Sequence, residues 1–139
     1  MLETIFKLLE RYGDMFIEGI GYTLLLSAIA VLVGLPIGAI VAIMRMSKFK
    51  NPTLDKYNPL RILASVYVEV LRGTPLMLQL YFFYFMLPDM IPFVKMSDFT
   101  CVSVALLINS SAYVSEVIRS GIQAIDRGQT EAARSLGLN

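Results

Sequence analysis

From residue 19 to residue 44, between Glu18 and Arg45, the chain carries about 26 residues without a charge. Roughly 20 apolar residues cross a hydrocarbon core as a helix, so this block can span a bilayer with tilt. Two further blocks follow. Residues 62–87 are interrupted by Glu69 and Arg72, then by Gly73-Thr74-Pro75 ahead of LMLQLYFFYFML. Residues 99–115 give about 17 uncharged positions, at the short end of the spanning range, closed by Glu116 and Arg119. Hydrophobic residues make up 56% of the 139, well above the roughly half expected of a soluble domain. The expected fold class is therefore an all-α integral membrane helix bundle, a single domain over 1–139 with spans at about 19–44, 62–87 and 99–118.

Within these spans, local features predict shape. Gly34 and Gly38 form a GxxxG pair around Pro36, which reads as close helix packing with a proline kink. Gly73 and Pro75 should bend the second block before its aromatic half. Residues 1–18 place Leu2, Ile5, Phe6, Leu9, Tyr12 and Phe16 at helical spacing with charges between them, which predicts an amphipathic helix on the outer surface.

Charge placement sets the orientation. Arg45, Lys48, Lys50, Lys56 and Arg61 separate the first two blocks, whereas Lys95 alone separates the second from the third. The positive-inside rule then puts the 45–61 loop and the C-terminal tail in the cytoplasm, with the N-terminus and the 88–98 loop outside. An outward N-terminus also argues against a cleaved signal sequence, which needs a basic start and a short apolar core. The net charge of +1 gives no basic excess to suggest nucleic acid. With no His and one Cys, neither a zinc site nor His-based acid/base catalysis can be assembled, and every Asp lies outside the blocks, which argues against an intramembrane protease. No catalytic residues, metal ligands or cofactors are expected. Cys101, inside an apolar block, reads as a small buried hydrophobe.

Polar residues at the end of the third span carry two readings. Asn109, Tyr113 and Glu116, at spacings of four and three, could line a translocation route as one stripe. Alternatively they serve interhelical hydrogen bonding, with a Glu116–Arg119 pair three residues apart. Glu69 and Arg72 have the same spacing and the same pairing expectation. Tyr81, Phe82, Phe83, Tyr84 and Phe85 read as an interfacial belt and packing surface in preference to a substrate box.

The tail SGIQAIDRGQTEAARSLGLN predicts that Gly128 ends the third helix in a left-handed cap. Thr130 then caps a helix of about two turns with Glu131 in its first turn, and Gly137 stops it. Ala132, Ala133 and Leu136 form a small apolar face; a helix this short gains order by docking, although EAARSLG is also a generic helix-forming string.

Three strings, GYTLLLS, VEVLRGTPLMLQLYFFYF and SAYVSEVIRSGIQAIDRGQTEAARSLG, occur here in that order. Together they resemble the permeases of binding-protein-dependent ABC importers, in the His/Glu/Gln/Arg/opine branch that carries polar amino acids. The resemblance covers the chain from about residue 16. It implies a type I importer-like bundle in the bacterial inner membrane, with three spans present of five. It further implies that 121–139 begins a cytoplasmic coupling loop, in which Glu131, Ala132, Ala133 and Gly137 seat in an ATPase subunit. The implied partners are ABC ATPase subunits, an extracytoplasmic solute-binding protein, a second permease copy or a similar permease, the lipid bilayer and the amino-acid substrate. The family pattern continues past Asn139, so the chain is expected to be a truncated form. A small structural or regulatory three-helix membrane protein is the alternative, and co-purification with an ATPase separates the two.

Overall fold

A computed structural model describes residues 2–49, 55, 57–92 and 96–137. Lys50, Lys56, Lys95 and the Asn51-Pro52 turn lie outside the described residues. All regular structure among the described residues is helical. Helix α1 runs over Leu2–Met46, α2 over Pro59–Gly73 and α3 over Leu76–Tyr81. A π-helical turn, Phe82–Met86, leads into α4, Leu87–Met90; α5 covers Asp98–Gln123 and α6 covers Arg127–Ser135.

Helix α1 differs from the expected division at Glu18. It is one helix of 45 residues, so 1–18 is not a separate surface segment but the leading part of the first span's helix. Nothing in the sequence forces a turn there: Gly13, Gly19 and Gly21 all keep negative φ, and the one proline, Pro36, comes later. Glu3 in the first turn and Arg45 in the last suit the helix dipole. The helix also continues through Pro36, whose missing N–H only deprives one carbonyl of its donor, so no break occurs at that position.

Helices α1 and α5 run side by side in the same direction. Tyr22 meets Phe99 with ring centroids 6.2 Å apart, and further along Gly34 and Gly38 face Leu107, Ser110, Ser111 and Val114. At the far end Arg45 reaches Glu116. Buried Ala30, Ala42, Cys101, Ala105, Ala112, Ser111 and Ser115 make this contact one of small side chains, the arrangement that lets helix backbones approach where lipid offers no hydrophobic drive. Ser111 also takes a 2.6 Å hydrogen bond with the Tyr67 hydroxyl of α2.

Asn58 starts α2 and fastens it to the end of α1. Its side-chain oxygen accepts from the Leu60 and Arg61 amides, the first-turn donors that Pro59 leaves to be capped. Its amide donates to the Ser47 carbonyl at 3.3 Å and to Ser47 Oγ at 2.9 Å, and the residue is only 1% exposed. From this anchor α2 returns along α1, bringing Tyr67 level with Ser111 and hence with Gly38.

The second apolar block is not one straight crossing. Between Gly73 and Leu76 the chain bends by 105°. Among the described residues two helices, α1 and α5, are long and apolar enough to cross a membrane, and the bent pair counts as a third only if both limbs form one span.

Candidate functional site

Two features stand out: a polar seam where α1, α2 and α5 meet, and the short terminal helix α6.

The seam begins at the bend. Pro75 has no N–H, so the Leu71 carbonyl four residues earlier loses its helical donor. Gln79 replaces it. Its Nε2 donates to Leu71 O at 2.7 Å, to Thr74 O at 3.1 Å and to Thr74 Oγ1 at 2.8 Å. Its Oε1 accepts from Asn109 Nδ2 of α5 at 3.0 Å, and the side chain sits in a residue only 7% exposed. Asn109 is thus committed to holding the bend against α5.

One helical face further along, three guanidiniums converge on Glu116. Arg45 of α1 and Arg119 of α5 both hydrogen-bond its carboxylate, and Arg72 of α2 stands 3.6 Å from Oε2. Arg119 also donates from Nε to Oε2 at 3.3 Å and from Nη1 to Gln123 Oε1 at 2.7 Å. The Arg72 guanidinium lies over the Tyr113 ring, 5.4 Å from its centroid. One carboxylate therefore faces three fixed positive charges, and the cluster keeps a formal surplus of two.

These contacts revise the local pairings. Glu116 does pair with Arg119, but it also takes Arg45 and Arg72 from other elements, which spacing along one helix cannot reveal. The expected Glu69–Arg72 pair does not form: Glu69 is exposed and Arg72 turns toward Glu116 instead. Asn109, Tyr113 and Glu116 share a face of α5 but divide between two groups, Asn109 with Gln79 and the other two with Arg72. Gln79, Arg45 and Ser47 escaped sequence reasoning. For Gln79 the signal was present, since a lone amide four residues after a proline in an apolar stretch needs a backbone partner. The aromatic run is shaped by the π-helical turn, with Tyr81 stacked on Phe85 at 5.8 Å and Tyr84 edge-on to Phe85 at 4.9 Å. Tyr81, Phe82, Tyr84 and Phe85 stay exposed.

The tail is built differently from its expected capping. Helix α5 ends at Gln123, and Asp126 caps α6, accepting from Gly128 N at 2.9 Å. Gly128 therefore lies inside α6 and has no left-handed φ, Thr130 is interior, and Glu131 falls in the second turn. Asp126 wins because it comes before both and is itself a strong cap residue. Gly137 closes the helix with φ +77°, donating its N–H to Arg134 O at 3.0 Å. Glu131 and Ala132 are exposed, Ala133 is half-buried, and Leu136 is 78% exposed. Because α1 and α5 run in parallel, α6 and the α1–α2 connection emerge from the same end of the bundle.

Residues 34–139 match the model of the family described as binding-protein-dependent transport system inner membrane component. The arginine transport system permease protein ArtQ of Bacillus subtilis (strain 168) is 42% identical over 122 residues, covering 88% of this chain and 52% of that protein. A crystal structure of an amino acid ABC transporter with histidines superposes with a TM-score of 0.78 at 46% identity, covering 94% of this chain and 56% of the other. The chain spans about half the length of the curated relatives it matches.

Proposed function

The chain belongs to the binding-protein-dependent transport system inner membrane components, and from that premise we propose that it forms the membrane path of an ATP-driven importer of amino acids. The similarity to an arginine permease and to an amino acid ABC transporter supports the substrate class. In this reading the subunit performs no covalent chemistry. It pairs with a second copy or a similar permease, receives the amino acid from an extracytoplasmic binding protein, and alternates access as cytoplasmic ATPase subunits close.

The exposed helix α6 carries the proposal. An isolated helix of 9 residues is short of the roughly 12 to 15 needed for marginal stability in water, so its order calls for a partner surface. Glu131, Ala132, Ala133 and Gly137 are the residues assigned to that contact, in a cleft of the ATPase. The positive-inside rule supports a cytoplasmic position for this end of the bundle and an outward N-terminus. Asn109, Tyr113 and Glu116 are assigned to the path.

The test is replacement of Ala132 by Trp in the full-length permease, co-expressed with its ATPase and reconstituted with its binding protein. Membrane insertion should persist while ATPase co-purification and amino-acid uptake fall together. Normal co-purification and normal uptake would remove α6 from the docking role.

A further inference from the structure

Where the α1–α2 connection meets the start of α2, the surface holds a cleft of mixed chemistry. The clefts beside Met77 and inside the bend at Leu63 are lined by apolar and aromatic side chains. This one encloses about 360 Å³ between Asp55, Asn58, Arg61, Ile62, Ser65 and Val66, so a carboxylate, a guanidinium and a hydroxyl stand beside two branched hydrocarbon side chains. We propose that it seats a membrane phospholipid whose headgroup carries a primary amine, as phosphoethanolamine does: phosphate on Arg61, ammonium on Asp55, and an acyl chain over Ile62 and Val66. Such a site requires only that the chain lie in a bilayer, whatever it transports.

Neither charge is spent within the chain. The three ion pairs among the described residues all go to Glu116, away from this cleft. Arg61 is exposed, and its side chain makes no hydrogen bond with any described residue; only its backbone amide is used, donating to Asn58 Oδ1. Asp55 Oδ1 accepts from the Phe49 amide at 2.8 Å, which leaves Oδ2 without a donor among the described residues. The helix terminus is not the attraction, because Asn58 already takes the Leu60 and Arg61 amides with its side chain and the Ile62 amide with its carbonyl. A lone anion entering the cleft meets Asp55 as well as Arg61, and a lone cation meets the same pair with the signs reversed. A headgroup with both charges satisfies each at once. The guanidinium fork matches phosphate oxygens in a bidentate pair, and a primary ammonium brings three N–H donors to the carboxylate, which a quaternary ammonium lacks.

The position suits an amphiphile. Asn58 is buried against Ser47, one residue past the end of α1, so the cleft stands where the uncharged run of α1 has given way to Arg45 and Lys48. At that level a bilayer changes from hydrocarbon to headgroups. Along α2, Arg61 and Ser65 are four residues apart, as are Ile62 and Val66, so a polar row and an apolar row run side by side on one face. Ile62 and Val66 are 50% and 51% exposed, apolar surface that an acyl chain would cover. Asp55 already ties down the α1–α2 connection at two points, through the Phe49 amide and through its own carbonyl, which accepts from Asn58 N at 3.3 Å. A headgroup joining Asp55 to Arg61 therefore fastens that connection to α2.

The experiment is native mass spectrometry of the full-length permease, purified with its ATPase and mixed with equal amounts of phosphatidylethanolamine, phosphatidylcholine and phosphatidylglycerol of identical acyl chains. The wild type should retain phosphatidylethanolamine over either of the others by about fivefold, the worth of roughly one charge at a membrane surface. Asp55→Asn keeps the oxygen that accepts from Phe49 and removes the negative charge, so the preference should pass to phosphatidylglycerol, a reversal that a folding defect cannot produce. Arg61→Gln should cut retention of phosphatidylethanolamine by about fivefold, and Arg61→Lys should restore part of it. Equal retention of the three lipids by the wild type overturns the proposal whether or not either variant folds. A wild-type preference for phosphatidylglycerol would make this a diffuse basic surface and also overturn it. A preference left unchanged by both Asp55→Asn and Arg61→Gln would place the lipid elsewhere, with the same consequence. Displacement of the lipid by millimolar soluble phosphoethanolamine would assign the cleft to a free headgroup and overturn the lipid assignment.

Discussion

Adding one methyl group at Gly38 should separate α1 from α5, and the same change at Gly34 should not. A Cβ at Gly38 would stand 2.8 Å from the Ser111 carbonyl oxygen and from Val114 Cβ and Cγ1. At Gly34 the nearest atom, Ser110 Cβ, is 3.4 Å away. Carbon atoms pack at about 3.5 to 4.0 Å, so Gly38→Ala demands roughly 0.7 Å or more of retreat by a backbone carbonyl and a β-branched side chain, neither able to swing aside. Overpacking of this kind costs about 1–3 kcal/mol. Alanine returns about 1 kcal/mol of helix propensity, leaving a net loss of about 0–2 kcal/mol for Gly38→Ala, in the upper part of that range because the clash is with backbone and a Cβ. At Gly34 the propensity gain and the tight contact nearly cancel, giving a change within about 0.5 kcal/mol of zero. Gly21→Ala, with nothing within 4 Å of the added atom, serves as the unhindered control. Unfolding of the chain in mixed micelles, followed by circular dichroism against rising SDS fraction, ranks the three. Equal midpoints for the Gly38 and Gly34 variants would show that the small-residue contact is looser than described and refute the reasoning.

Gln79→Leu strips the donor from the Leu71 carbonyl and the acceptor from Asn109. A double-mutant cycle with Asn109→Leu should return a coupling of about 0.6–1.7 kcal/mol, the range for polar pairs between membrane helices, and zero coupling would show that the amides do not hold the bend. Topology is checked by introducing cysteines in a Cys101→Ala background, a permissive choice because Cys101 is buried and unpaired. A Cys at Lys95 should react with an impermeant reagent from outside, and one at Lys50 only after permeabilisation; external labelling at Lys50 would invert the assigned orientation.

How far the sequence could be read depended on how local each cause is. Uncharged runs announce spans because lipid penalises every charge individually, and Gly73-Thr74-Pro75 announces a bend because a proline removes a donor wherever it sits. Gly137 was legible for the same reason, a short helix ending where left-handed φ costs least. The boundary expected at Glu18 was misleading. A change from amphipathic to uniformly apolar composition alters what surrounds a helix, but it supplies no turn, so α1 runs straight on. The tail offered Asp126, Gly128 and Thr130 as competing punctuation, and position along the chain decided for Asp126. Arg45, Arg72 and Ser47 were hidden because their partners lie 71, 44 and 11 residues away, respectively. Only the side-by-side course of α1 and α5 and the return of α2 bring them together.

The parallel pair α1 and α5 also acts as a gauge of bilayer thickness. The Tyr22–Phe99 ring contact marks one end and the Glu116 arginine cluster the other. Between these marks lie about 35 Å of α1 and about 26 Å of α5 at 1.5 Å per residue, the difference being bridged by the reach of Arg45. The two lengths bracket a hydrocarbon core of roughly 30 Å, so aromatic rings and guanidiniums fall together near the two interfaces where each kind of side chain is most stable. Thinning the membrane by a few ångströms would pull one mark out of its layer, at a fraction of a kcal/mol for each ångström of mismatch, and tilting the pair as a unit would restore it. Since the marks are tied across two helices, such a tilt moves both at once: lipid composition sets the angle at which the whole seam, and the helix α6 beyond it, is presented.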